Sequence, residues 1–102
     1  MATLEELTEK VRQAVSAGQD LGKSITLNLK GEGFIHVAGA EVVNEDRKAD
    51  LTVTISRKDL VAMGKGDLDP MRAMMTGRLR LSDMGLAMSL QPKIQSLFSK
   101  LA

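Results

Sequence analysis

The chain predicts an α+β fold: a five-stranded, mostly antiparallel sheet with one face covered by about four to five helices. Three observations lead there. Apolar residues alternate with a period of two in several short runs, as half-buried strands require. Capped segments with a 3.6-residue apolar period flank and interrupt those runs. One-faced alternation also suits antiparallel pairing with a single buried face.

The elements follow in order. Thr3 and Glu6 form a capping box, and Leu4, Leu7, Val11, Ala14 and Val15 make one apolar stripe that stops near Gly18. Ile25, Leu27 and Leu29 alternate with Thr26, Asn28 and Lys30 as a first strand. Gly31-Glu32-Gly33 makes a tight turn into a second strand at 34–37, and Ala38-Gly39 bends into a third at 41–44. After a polar loop at 45–48, Leu51, Val53 and Ile55 alternate with Thr52, Thr54 and Ser56. Ser56 and Asp59 open a short helix through Met63, and Asp69-Pro70 reads as an N-cap followed by Pro at the first helical position. Leu79 and Leu81 belong to a fifth strand, with Arg78, Arg80 and Ser82 facing out. Ser82 or Asp83 caps a helix carrying Met84 and Met88. Pro92 is expected to break it or start another, leaving Ile94, Leu97, Phe98 and Leu101 on a terminal amphipathic helix free to act as a flap.

At 102 residues the chain is expected to be one domain, 1–102. Apolar residues make up 43% of it and aromatic residues 2%, so the core is aliphatic and Met-rich around Phe34 and Phe98. Few aromatic platforms and a net charge of +1 argue against nucleic acid as a partner. The N-terminal residues lack an apolar signal core, and no run approaches a membrane span; a cytoplasmic location is expected. Ser99-Lys100-Leu101 spells a peroxisomal address, but Ala102 follows it, and that signal is read at the extreme C-terminus.

Catalytic constellations are missing from the sequence. There is no Cys, the single His36 sits on a strand without partners, and no G-x-S-x-G elbow occurs. Asp46, Asp50, Asp67 and Asp69 lack His or Cys at metal-ligand spacing, and the Gly-x-Gly turns at 31–33 and 64–66 lack a phosphate-binding context. No cofactor is expected. Arg57, Lys58, Lys65, Arg72, Arg78 and Arg80 cluster near the methionines; they either ring a pocket mouth or form a solvated face balanced by nearby aspartates.

Six of the seven methionines fall between Ala49 and Leu90. Met adapts to irregular apolar surfaces and serves equally as core filler. Within that stretch, Ala49-Asp50-Leu51-Thr52-Val53-Thr54-Ile55 with Asp59-Leu60, then Gly64-Lys65-Gly66 leading to Asp69-Pro70-Met71-Arg72-Ala73-Met74-Met75, then Gly77-Arg78-Leu79-Arg80-Leu81-Ser82-Asp83-Met84 stand in a recognisable order. That order resembles the sterol carrier protein type 2 family of small lipid-binding domains. Met74-Met75 replaces aromatic residues common in that family, and Ser82 replaces a frequent Gly, which leaves ligand identity open.

The resemblance implies an apolar cavity between sheet and helices, and non-catalytic carriage of a fatty acid, acyl-CoA, phospholipid, sterol-like or isoprenoid molecule. Expected lining residues are Phe34, Leu60, Met63, Met71, Met74, Met75, Leu79, Leu81, Met84, Met88 and Phe98. Expected partners are the lipid or acyl ligand, a transient membrane contact and a partner enzyme. The alternatives are an accessory module presenting lipid intermediates to an enzyme, for instance in an isoprenoid quinone pathway, and, behind it, an acyl-thioester hydrolase.

Overall fold

In the computed structural model, residues 3–18 and 22–101 are described. The elements run α1 (Leu4–Ser16), β1 (Ile25–Asn28), β2 (Phe34–Ala38), β3 (Glu41–Val43), β4 (Leu51–Ile55), α2 (Arg57–Gly64), α3 (Pro70–Met75), β5 (Leu79–Leu81) and α4 (Met84–Leu101). The sheet order is β3-β2-β1-β4-β5. β1 pairs antiparallel with β2 and parallel with β4, while β2–β3 and β4–β5 are antiparallel. This is the α+β architecture that the alternation predicts, with one parallel pair at its centre.

Register fixes which residues face the helices. Ile25 stands opposite Val37 and Leu51, Leu27 opposite Ile35 and Val53, and Ile55 opposite Leu79. All of these are buried. Because side chains alternate across a strand, Thr26, Asn28, Phe34, His36, Thr54 and Arg80 point to the other face. Phe34 was expected at the cavity. It pairs with Asn28 on the face away from the helices, because Ile35 and Val37 take the two inward positions of β2.

That outer face is not simply solvated. A parallel partner for β1 forces the chain to cross from β3 to β4, and the connection runs over β1. The Thr26 hydroxyl donates to the Arg47 carbonyl oxygen at 2.7 Å and lies 2.8 Å from His36 Nδ1. A hydroxyl has one proton to give, so His36 donates from Nδ1. Thr26 and His36 are both buried by this arrangement. His36 is therefore a packed strand residue beneath a crossover loop.

Helix boundaries follow local chemistry. Thr3 Oγ1 accepts from the Glu6 N–H at 3.1 Å, and Ser56 Oγ accepts from the Asp59 N–H at 3.1 Å. Asp83 Oδ1 caps α4 by accepting from the Leu86 N–H at 3.0 Å. Asp69 precedes Pro70 as expected but makes no side-chain cap. The turn before β2 centres on Lys30 and Gly31, both at positive φ. Gly33 packs beneath α1; a Cβ there would meet Leu4 Cδ2 at 2.5 Å, so no larger residue fits without displacing Leu4.

Two expectations about the C-terminus are corrected. Pro92 neither ends nor starts a helix, since α4 continues through it from Met84 to Leu101. The ring removes one N–H from the ladder, and packing on either side holds the helix across the gap. Nor is the terminal segment a free flap. Leu97, Phe98 and Leu101 are buried, and α4 packs against both α1 and α2. Lys10 Nζ reaches the Leu101 carbonyl, and the Gln95 side-chain amide donates to the Met63 carbonyl oxygen at 3.0 Å. Among the described residues, no helix is long and apolar enough to cross a membrane.

Candidate functional site

A cavity of about 200 Å³ lies between the β4–β5 edge of the sheet and the later helices. Val53, Leu79 and Leu81 form its floor, all on the inward parity of β4 and β5. Met63 comes from α2, and Pro70, Met71 and Met74 come from α3. The remaining wall is a single stripe of α4: Met84, Ala87, Met88, Gln91, Ile94, Gln95 and Phe98. Spacings of three and four put these seven residues one above another on one helix face.

Of the residues expected at the site, Met63, Met71, Met74, Leu79, Leu81, Met84, Met88 and Phe98 come together around this cavity. Phe34, Leu60 and Met75 do not. Phe34 lies across the sheet. Leu60 is fully buried in the core beneath α2. Met75 ends α3 and projects into solvent at 85% exposure, because Ala73 and Met74 occupy the inward positions of that short helix.

The sequence reading passed over Val53, Pro70, Ala87, Gln91, Ile94 and Gln95. Extending the Met84–Met88 spacing onward would have found the α4 residues. Treating Pro92 as a boundary cut that stripe in two.

The cavity carries no ionisable lining residue. Its polar groups are the side chains of Gln91 and Gln95, and Gln95 is already engaged with the Met63 carbonyl. The basic cluster does not line it. Arg57 pairs instead with Glu32 at 3.1 Å. Among the described residues there is no group of His, Cys, Asp or Glu that could hold a metal ion. Asp50 has its carboxyl held below the usual range, first by the Ser24 N–H, then by the Ser24 hydroxyl. That pair ties the start of β1 to the start of β4, well outside the cavity lining.

The wall is soft as well as apolar. Met71, Met84 and Met88 line the cavity while remaining 67%, 45% and 68% exposed. They form its rim, so the cavity opens to solvent between α3 and the first half of α4.

This geometry has relatives. Residues 2–95 match the model of the SCP-2 sterol transfer family. Sterol carrier protein 2 of Gallus gallus is 44% identical over 54 residues, 52% of this chain, and the human protein of that name is 41% identical over the same length. The chain spans about a tenth of the length of these curated relatives. Among solved structures, sterol carrier protein 2 like 2 from Aedes aegypti superposes with a TM-score of 0.70 at 25% identity, covering 87% of this chain and 94% of that one. A palmitated form of the same mosquito protein matches at 0.64 and 22% identity, over 91% and 95%. A sec-alkylsulfatase from Pseudomonas shares the fold at 0.53 and 19% identity, covering 90% of this chain and only 14% of the enzyme. With the family model spanning nearly the whole chain, this protein belongs to the SCP-2 sterol transfer family.

Proposed function

We propose that this chain is a carrier domain that holds the apolar portion of a lipid in the cavity between β4–β5 and α2–α4, without altering it covalently. The observation that carries this is the lining itself: a Met-rich apolar wall with two amides and no ionisable group. Such a surface rewards burial of hydrocarbon and offers neither a nucleophile nor a base within reach. The palmitated relative supports an acyl chain as occupant.

Size sets a condition on that occupancy. A cavity near 150 Å³ accepts benzene, and drug-sized sites run to about 300–1,000 Å³. At about 200 Å³ the site must widen, or leave part of a long chain at the rim. Met71, Met84 and Met88 are the groups placed to yield, since unbranched Met changes rotamer readily. A chain of about 16 carbons offers roughly 12 kcal/mol gross at about 0.8 kcal/mol per CH₂, less several for lost freedom. Competition of a fatty-acid ladder against a fluorescent lipid is the test. Affinity should rise with chain length towards the micromolar range or tighter; affinity independent of length would rule out an apolar chain site. Release of free thiol from acyl-CoA over many turnovers would favour a hydrolase instead.

One observation favours a second reading, an accessory module serving an enzyme. The same fold occupies a small share of the much larger alkylsulfatase. A stable complex with a lipid-handling enzyme, formed only by the loaded domain, would support it.

A further inference from the structure

We infer that the mouth of the cavity is an oxidation-sensitive site: a hydroperoxide converts the thioethers of Met71, Met84 and Met88 to sulfoxides, and the polar rim that results opposes entry of hydrocarbon. The chain concentrates its oxidisable side chains here. It has no Cys, Trp or Tyr, and its single His36 is buried on the far side of the sheet. Methionine sulfur is therefore the group that an oxidant meets first. Six of the seven methionines lie between residues 63 and 88, and Met71, Met75, Met84 and Met88 are exposed. Three of those four line the cavity; Met75 does not. Met63 and Met74 line the same cavity from less exposed positions, Met63 buried and Met74 half-buried.

Hydrogen peroxide is a sufficient oxidant. A sulfur lone pair attacks one peroxide oxygen, and the O–O bond breaks as the S–O bond forms. The departing hydroxide takes the proton of the transferred oxygen and leaves as water. Sulfur gives up two electrons and the peroxide gains them, so no other reactant is needed. Exposure sets which sulfurs react, which places the rim ahead of Met63. The product changes the character of the wall. A thioether is apolar and turns readily between rotamers, whereas a sulfoxide is polar and accepts hydrogen bonds. The lining has few donors to meet it: its polar side chains are Gln91 and Gln95, and the Gln95 amide already donates to the Met63 carbonyl oxygen. A lipid chain laid against the oxidised rim strips water from the sulfoxide oxygens without replacing it. Control of lipid by the altered wall rests on the carrier function proposed above; the position of the sulfoxides does not.

Treatment of the whole chain with dilute hydrogen peroxide, followed by peptide mass spectrometry and titration with a fluorescent fatty acid, tests the switch. Sulfoxide is expected first at Met71, Met75, Met84 and Met88 and last at Met63. Affinity should fall about tenfold or more as the rim sulfoxides accumulate, while the oxidised chain still melts cooperatively. Methionine sulfoxide reductases A and B together should restore it. Met75→Leu should bind, and respond to peroxide, as the unaltered chain does. In Met71→Leu/Met84→Leu/Met88→Leu, a volume-conserving exchange, peroxide should cause no further loss from whatever affinity that variant begins with. The switch is overturned if affinity survives complete oxidation of the rim, if Met63 oxidises as fast as the rim, if the triple variant is equally sensitive, or if the oxidised chain has unfolded. Failure of the fatty acid to bind even the untreated chain overturns the carrier function itself, and the switch with it.

Discussion

Met74 and Met75 are neighbours in sequence with opposite surroundings: one lines the cavity, the other stands in solvent. Met74→Asp should abolish binding of a soluble fatty acid while the empty domain still melts cooperatively, because water can reach the charge through the open rim. Met75→Asp should leave both unchanged. Leu60, once expected at the same site, is solid core; Leu60→Ala should cost about 2–5 kcal/mol in urea denaturation with no specific effect on ligand preference. On the far side of the sheet, Thr26→Val strands His36 Nδ1 and the Arg47 carbonyl together, and should cost about 1–3 kcal/mol. Asp50 makes a prediction about acid. Its folded carboxyl is held below the ordinary value of 3.8, chiefly by the Ser24 N–H, so the unfolded chain takes up the proton first as pH falls. Its contribution is complete above that ordinary value and is lost as pH drops through the lower folded one. Asp50→Asn should therefore flatten the melting-temperature profile below about pH 4 and leave its shape above pH 5 unchanged.

At the scale of elements, what the sequence disclosed depended on how local the cause was. Strand alternation and the Thr3 and Ser56 caps involve residues a few positions apart, and the structure has them where the spacing put them. Phe34 fell on the wrong face because its strand offers apolar residues on both parities, and only pairing with Asn28 decides between them. Burial of Thr26 depends on the Arg47 carbonyl, 21 residues on in the chain, and His36 shares that cover through its contact with Thr26, beyond any periodicity. Helix α4 was obscured by Pro92, whose local preference is overruled by tertiary contacts on both halves. That override has a consequence for the lid of the cavity. Residue 92 has no N–H for the Met88 carbonyl, so the half of α4 bearing Met84 and Met88 is tied less firmly to the half bearing Phe98. Pro92→Ala should raise the melting temperature and slow lipid uptake in stopped-flow fluorescence; faster uptake would rule out bending at this point.

At the scale of the whole molecule, α1 and α4 share one core although they lie at opposite ends of the described chain, and β4 pairs with β1 across the intervening β2–β3 hairpin. If the carrier function is right, a ligand bridging α2, α3, α4 and the sheet should raise the melting temperature with the logarithm of its free concentration, and differential scanning fluorimetry will read that directly. The shared core also bears on synthesis. A nascent chain that has emerged only as far as β4 has four strands and no α2 or α4 to cover them, so the core that holds Leu27, Ile35 and Val53 is incomplete. Folding must wait for Leu97 to Leu101, in one late and cooperative step rather than piece by piece.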